Sequence, residues 1–466
     1  MMEPGLSPAF AYQKPAAHRE RLVPILTHLP EGVVLPIPPP SAQTTTATAT
    51  TTTTANPPPR KEPQYFMGRP VHPNYHYKRN RRYAGDDSIP YPLPCDQQEV
   101  NRQNILHHIF HEVFGTIHAA EFPKVQDIPS KVLDVGCGSG LWIASMADEF
   151  AARGRPNVHF TGLDIVRNCP DMSGVNFRFI KHNILNLPLP FATGEFDYIM
   201  VREMTLCYPQ DRNSESLLEE YLRILKVGGT LEFQCSDHTI RCLSPSSIPP
   251  SSRSGAYLMT ASTRFNLKSE NSYIQDYNRY ISHFLGSRQL PSAPCTSVQS
   301  TLLMEAIRLG NIKNRRYALP LDNPHWEGKP ISVTGSLENR SLTSLATLTE
   351  PRRSTESSKS APQAGTSFTA TGDAETRSVD SEPKDRKNST MEMFVSDDAR
   401  ALRVLARQTF TSMVRNLEPV LRSSNRIPQE DWDWWFRDLM INFHQNKGLN
   451  SGECIELGAW WGVKKS

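Results

Sequence analysis

Apolar residues along this chain fall into short runs, separated by stretches where they recur every three or four positions. Val132–Val135 reads as a strand ending in a glycine turn, and Leu141–Phe150 as the helix that follows. Val158–Asp164, Asn176–Lys181 and Phe196–Val201 read as three more strands. Ser216–Leu225 reads as a helix closed by Gly228-Gly229, with Thr230–Cys235 as the fifth strand. Strands that alternate with helices imply a parallel, doubly wound α/β sheet. Further on, Val298–Leu309 has a helical pattern and Asn311–Leu321 the pattern of a sixth strand. Residues 397–422 carry Leu402, Leu405, Met413, Leu417 and Leu421 near one helix face. Trp432, Trp435, Phe436, Leu439, Met440 and Phe443 form a second apolar stripe within Pro428–Phe443, most simply core, with Trp434 off that face. Cys454–Val463 reads as a closing strand.

Composition changes how much of the chain this pattern fills. Apolar residues make up 38% of 466 positions and there are 38 prolines, so part of the chain buries too little surface to offset its ordering entropy. Residues 1–68, with a Thr/Ala tract from Thr44 to Ala55, are expected to be an unstructured Pro/Thr-rich tail. Residues 330–393 are expected to be an unstructured Ser/Thr-rich insertion, and 242–272 a smaller one. This leaves a lead-in segment at 69–128, a core at 129–325, and C-terminal helices and a last strand at 397–466 that complete it. The net charge of +3 gives no strong field for DNA or anionic lipid. The eight cysteines include no CxxC pair, so neither a zinc ribbon nor a redox dithiol is indicated, and reduced thiols fit an intracellular protein. No signal peptide and no transmembrane run of about 18 apolar residues is read.

The chemistry sits in Val132-Leu-Asp-Val-Gly-Cys-Gly-Ser-Gly140. Gly136, Gly138 and Gly140 let a ligand approach the backbone between a strand and a helix. A dinucleotide fingerprint would place glycine where Leu141 stands, and a phosphate loop would need a Gly-Lys-Ser/Thr ending that is missing. Asp134 beside the turn would repel a pyrophosphate but suits a cationic amine. Asp164, ending Phe160-Thr-Gly-Leu-Asp-Ile165, is placed to take both hydroxyls of a ribose. Asn183 is placed for the exocyclic amine of an adenine, with Ile165 and Ile184 sandwiching the ring. An amine, a ribose and an adenine without phosphate describe S-adenosyl-L-methionine.

On these residues the chain resembles the class I methyltransferases, and within them the fungal LaeA-like group associated with velvet regulatory proteins. The motifs are Asp134–Gly140, Phe196-Asp197-Tyr198-Ile199 and Leu225-Lys-Val-Gly-Gly229, over roughly 70–325 and 397–466. Arg82-Tyr83, Tyr91–Asp96, Glu99, Arg102 and His107 resemble the group's lead-in segment. Val227 stands where proline is usual, and Cys95 where asparagine is common. The resemblance implies a seven-stranded Rossmann-like sheet, helices capping the cofactor cleft, and a regulator of development and secondary metabolism. It also implies velvet-type partners or a related methyltransferase subunit, residence in nucleus and cytoplasm, and no direct DNA binding. The expected cofactor contacts are Asp134, Gly136, Cys137, Gly138, Gly140, Asp164, Ile165, Asn183, Ile184 and Arg202, with no metal.

Several residues carry two readings. Arg202 either holds the cleft mouth or forms a surface salt bridge. His238, after the fifth strand, is the weak candidate for a general base, and an ordinary loop histidine otherwise. Cys137 needs only a small side chain in the turn. Trp142 either flanks the adenosine or packs on the sheet. Lys78-Arg79-Asn80-Arg81-Arg82 is either a nuclear-localisation or nucleic-acid cluster or part of the lead-in structure. Transfer from a sulfonium needs alignment more than acid–base help, and orientation supplies roughly 7–11 kcal/mol of such barriers. Val201-Arg-Glu-Met204 stands where adenine methylases carry an Asn-Pro-Pro-Tyr type motif. Beside the enzyme, a catalytically weak regulatory subunit of the same fold and a biosynthetic O-methyltransferase remain as alternatives.

Overall fold

The computed structural model describes residues 75–86, 91–207, 212–245, 250–327 (without 252, 262 and 267), 395–445 and 448–466, and the strand pairs 65–66 and 69–70. Apart from Tyr65–Phe66, which pairs with Arg69–Pro70, the expected unstructured tail and the 330–393 insertion lie outside these residues.

Seven strands form the central sheet: β1 (Lys131–Val135), β2 (His159–Asp164), β3 (Phe177–Lys181), β4 (Phe196–Arg202), β5 (Leu225–Ser236), β6 (Leu309–Pro320) and β7 (Glu453–Lys464). Their spatial order is β3-β2-β1-β4-β5-β7-β6. β1 to β5 are parallel and β7 is antiparallel to both its neighbours. This is the doubly wound sheet read from the sequence, closed by an antiparallel hairpin-like insertion of β7. The helices are α1 (Gln97–Phe114), α2 (Leu141–Ala152), α3 (Arg212–Ile224), α4 (Ser272–Ser287), α5 (Pro294–Met304), α6 (Asp397–Asn425) and α7 (Gln429–Gln445).

Central parallel strands are buried on both faces, so their side chains alternate between two cores. Val132 joins Trp142, Ile143, Met146 and Phe150 of α2, in the larger core that also takes α1, α4, α6 and α7. Leu133 and Val135 join Leu217, Leu218, Tyr221 and Leu222 of α3, with Leu302 of α5. The same alternation sends Asp134 to the Val132 face.

Three sequence expectations are corrected. The Gly228-Gly229 pair does not cap α3, which ends at Ile224; the chain enters β5 directly, and the pair lies in a register irregularity opposite β4. There a Cβ on Gly229 would meet Asp197 O at 2.9 Å, which only glycine avoids. The 242–272 stretch is not a loose insertion. Arg241–Leu243 pairs with β7, Phe265–Asn266 with Arg241–Leu243, and Tyr257–Leu258 with β6, extending the sheet to ten strands. Val298–Leu309 is not one helix: α5 stops at Met304, and Leu309 already belongs to β6. Helix α4 is an element beyond those expected above, with Ile274, Tyr277, Ile281 and Phe284 recurring at helical spacing and Asn271 capping its first turn.

Long-range polar contacts fix the outer elements on the sheet. Buried Glu232 of β5 accepts from Ala119 N (2.8 Å), Ala120 N (2.7 Å) and Tyr198 Oη (2.9 Å), pinning the segment that leads into β1. Arg403 of α6, 1% exposed, pairs with Glu327 at 2.6 Å and donates to Gly255 O at 2.7 Å. The basic 78–82 cluster is absorbed by a hairpin of Tyr75–Lys78 and Arg81–Ala84, turning at Arg79 and Asn80 with positive φ. Arg81 pairs with Asp96 at 2.6 Å, Arg82 donates to Cys95 O, and Arg79 pairs with Glu418. The cluster therefore serves the lead-in structure.

On α7, Trp432, Trp435, Leu439 and Phe443 are buried, while Trp434 is 61% exposed, with the Arg437 guanidinium 4.0 Å from its ring centroid. Trp434→Ser is accordingly expected to leave unfolding free energy within about 0.5 kcal/mol of the parent. Urea titration checks this, and a loss above about 2 kcal/mol would show that the ring packs on something.

Candidate functional site

A cavity opens at the carboxyl ends of β1, β2 and β4, where a doubly wound sheet places its ligands. Helix α1 roofs it with Arg102, Gln103, Leu106, His107 and Phe110, and Met413 of α6 closes one side. The expected capping of the cleft by the lead-in segment is thus present.

The floor is the glycine turn. Gly136, Gly138 and Gly140 all have positive φ (71°, 52° and 73°), which side-chain-bearing residues rarely adopt. Gly136 N and Cys137 N donate to Leu163 O, which ties the turn to the end of β2. Gly138 N donates to Asp164 Oδ2 at 2.8 Å, so the turn and the acidic residue are one unit. Burial raises the Asp164 carboxyl, and the Gly138 hydrogen bond pulls it back.

Of the ten expected cofactor contacts, Gly136, Cys137, Gly138, Asp164, Ile165, Asn183, Ile184 and Arg202 line the cavity; Asp134 and Gly140 do not. Gly140 sits behind the turn as the N-cap of α2, where a Cβ would lie 3.0 Å from Cys169 Cβ. Asp134 is 2% exposed, beneath the turn on the face that strand alternation assigns it. Its Oδ2 is buried without a hydrogen-bond partner, and burial, with Asp164 adding to it, pushes the carboxyl up to about 7 against the charge of Arg202. Asp134 is thus not among the residues that line the cavity.

The folded state holds the Asp134 proton more tightly than the unfolded chain, so stability falls as pH rises from about 4 to about 7, by on the order of a few kcal/mol. His238 and His107 act oppositely. Burial, aided by Arg102 and Arg202 respectively, lowers them to about 4 and about 3, so they cost stability as pH falls below about 6.5. Asp134→Asn should make the fall between pH 5 and 7 shallower in urea unfolding of the unliganded protein, leaving the part due to Asp237, whose carboxyl burial pushes up to about 6; an unchanged slope would contradict it.

Arg202 is part of the cavity and not a surface pair: its Nη1 donates to His107 Nδ1 at 2.7 Å. His238 lines the cavity, hydrogen-bonded to Thr205 Oγ1 at 3.0 Å, and is neutral near pH 7. Asn183 Oδ1 already accepts from Leu185 N at 3.0 Å, leaving one acceptor lone pair for an adenine. Trp142 packs on the sheet, fully buried and donating to Ile117 O, not beside the cavity. Cys137 is 4% exposed, its thiol raised well above the usual range by a hydrogen bond with Cys169 and by burial, which opposes reactivity. Glu203, which the sequence places after the fourth strand at the carboxyl edge where ligands bind, is a further residue of the site. It lines the cavity with φ 54° and a buried Oε1 that has no hydrogen-bond partner among the described residues.

This glycine turn, hydrogen-bonded to an acidic β2 end inside a roofed cavity, coincides with a family profile described as "Methyltransferase domain" that matches residues 132–229. Residues 132–229 are a class I methyltransferase domain. Over part of its length the chain is similar to proteins named LaeA or LAE1. It is 29% identical over 176 residues to the secondary metabolism regulator LAE1 of Cochliobolus heterostrophus, covering 36% of this chain and 55% of that one. It is 32% identical over 156 residues to the secondary metabolism regulator laeA of Coprinopsis cinerea (32% and 36% covered). It is 27% identical over 135 residues to the protein-methionine methyltransferase laeA of Emericella nidulans (28% and 33% covered). The chain thus spans about half or less of these relatives' lengths. Among the described residues no helix is long and apolar enough to cross a membrane.

Proposed function

We propose that the chain is an S-adenosylmethionine-dependent methyltransferase that regulates fungal development and secondary metabolism. The observation that carries it is the Gly138–Asp164 unit facing a cavity roofed by α1. Asp164 takes the ribose, Asn183 the adenine edge, and Ile165 and Ile184 the ring faces. Bound S-adenosylmethionine supplies a methyl group on a cationic sulfur. The chain's own residues then orient the acceptor and exclude water, with α1 and Met413 shutting the cavity.

The acceptor proposed is a protein thioether. One relative is a protein-methionine methyltransferase. A thioether brings no proton to be removed, and the buried imidazoles of the cavity, His107 and His238, are both held far below the range of a base at neutral pH. His238 accordingly acts as a neutral hydrogen-bonding group. Velvet-type partners or a related methyltransferase subunit, and residence in nucleus and cytoplasm, belong to the same proposal and are supported by the resemblance to the LaeA-like regulators.

The test is titration calorimetry of the full chain with S-adenosylmethionine and S-adenosylhomocysteine, followed by transfer from labelled cofactor to a methionine peptide and its norleucine counterpart. Heat with both nucleosides and label on the methionine peptide alone is expected. Label on neither peptide, with binding intact, would favour the regulatory-subunit reading. No heat would end the cofactor assignment.

A further inference from the structure

S-adenosylmethionine ends in an amino acid, and a buried carboxylate and ammonium both need partners. Asp164, Asn183 and the two isoleucines account for the nucleoside, while Asp134 lies outside the cavity wall. We infer that Arg102 of α1 and Glu203 after β4 hold this zwitterionic end, Arg102 its carboxylate and Glu203 its ammonium. The inference rests on the cofactor reading above.

Arg102 is a cation built into the roof. It is 6% exposed, and Glu99 grips one edge of its guanidinium, accepting from Nε at 2.9 Å and from Nη2 at 2.7 Å. Glu99 is itself fully buried and fixed by Asn416 of α6 at 2.5 Å and by Gln103 at 3.0 Å. With that edge clamped, Nη1 has no partner among the described residues, and the side chain lines the cavity. A guanidinium held this way presents planar, preoriented donors to a carboxylate.

Glu203 is the matching anion. Ser236 Oγ donates to its Oε2 at 2.9 Å, and its backbone N donates to Gln234 O at 2.9 Å, so the residue is anchored on β5. Its Oε1 is buried and has no hydrogen-bond partner among the described residues, which is costly unless a ligand supplies the donor. Of the six non-glycine residues with positive φ among those described, it is the one that lines the cavity. Such strain costs roughly 1–3 kcal/mol and gathers where a ligand must be held. The charges of Arg102 and Glu203 act on one another, yet among the described residues no ion pair joins them. A ligand carrying both charges fills that gap. Arg202, the cavity's other arginine, is occupied by His107 and by the field of Asp134.

Three ligands with a neutral sulfur separate the two roles: S-adenosylhomocysteine, its decarboxylated form, and 5′-methylthioadenosine, which lacks both charged groups. Calorimetry on the full chain should show Arg102→Ala weakening S-adenosylhomocysteine by about tenfold to a hundredfold, with the other two unchanged. Glu203→Gln should weaken S-adenosylhomocysteine and the decarboxylated form by a similar factor and spare 5′-methylthioadenosine. Binding of 5′-methylthioadenosine is the internal check that each variant is folded. If Arg102→Ala does not fold, Arg102→Lys keeps a charge on Glu99 but loses the planar donors, and should show the same pattern more weakly. Equal loss for all three ligands, or no loss for S-adenosylhomocysteine, overturns the inference while leaving the cofactor assignment standing. Failure of the parent chain to bind any of them overturns both.

Discussion

Asp164→Ala is expected to lower affinity for S-adenosylmethionine by roughly a hundredfold or more. A carboxylate that accepts from two ribose hydroxyls makes two charge-assisted hydrogen bonds, each worth about 1.5–3 kcal/mol. The same substitution takes the acceptor from Gly138 N, so the turn loses the bond that holds it against β2. Asp164→Asn separates the effects. It keeps an oxygen for Gly138 N but loses the charge, so affinity should fall less, by about tenfold. Titration calorimetry with both variants measures this. A loss smaller than threefold in Asp164→Ala would mean that the nucleoside does not meet this carboxylate.

Glu232→Ala is expected to have the largest effect on folding. Its two oxygens accept from Ala119 N, Ala120 N and Tyr198 Oη, all at 2.7–2.9 Å in a wholly buried setting. Removing them takes the acceptor from two backbone N–H groups, a hydroxyl and the Gln234 amide, which donates at 2.8 Å, at about 1–3 kcal/mol for each group left unsatisfied. Against a typical total stability of about 5–15 kcal/mol, this should bring the variant close to unfolding at growth temperature. Tyr198→Phe removes one donor and leaves the backbone pair in place, so its cost should be about 1 kcal/mol. Thermal unfolding of both variants decides the matter. A midpoint shift below about 4 °C in Glu232→Ala would show that water replaces the carboxylate.

These two carboxylates differ in how they were legible. Asp164 stands at the end of an apolar run, one strand after a glycine turn, and that local pattern suffices to mark it. Glu232 lies inside an apolar strand with nothing nearby to explain it. Its backbone partners, Ala119 and Ala120, are more than a hundred residues away in sequence, so no local pattern reveals that they satisfy it. Arg102 and Glu203 show the same division within one site. Arg102 was visible as part of a lead-in motif, but that Glu99 and Asn416 clamp it could be seen only once α6 lay against α1. Asp134 shows the division in one residue, since the turn beside it is a local feature and its burial is not. Its place beside the turn suggested contact with a ligand, while the two-residue period of β1 turns it to the face under α2.

Local pattern therefore determined the strand–turn–helix alternation, the left-handed glycines, the acidic β2 end, and with them the class of fold and the nucleoside. These depend on residues within a few positions of one another, where backbone sterics and side-chain period act directly. Tertiary structure decided which carboxylates face the cavity, that the basic 78–82 cluster is spent on Asp96 and Glu418, and that the 242–272 stretch widens the sheet. It also decided that His238 stays neutral. The physical reason is common to all four. Burial and pairing are set by elements distant in sequence, and desolvation, which moves these charges most, has no signature until the chain has closed around them.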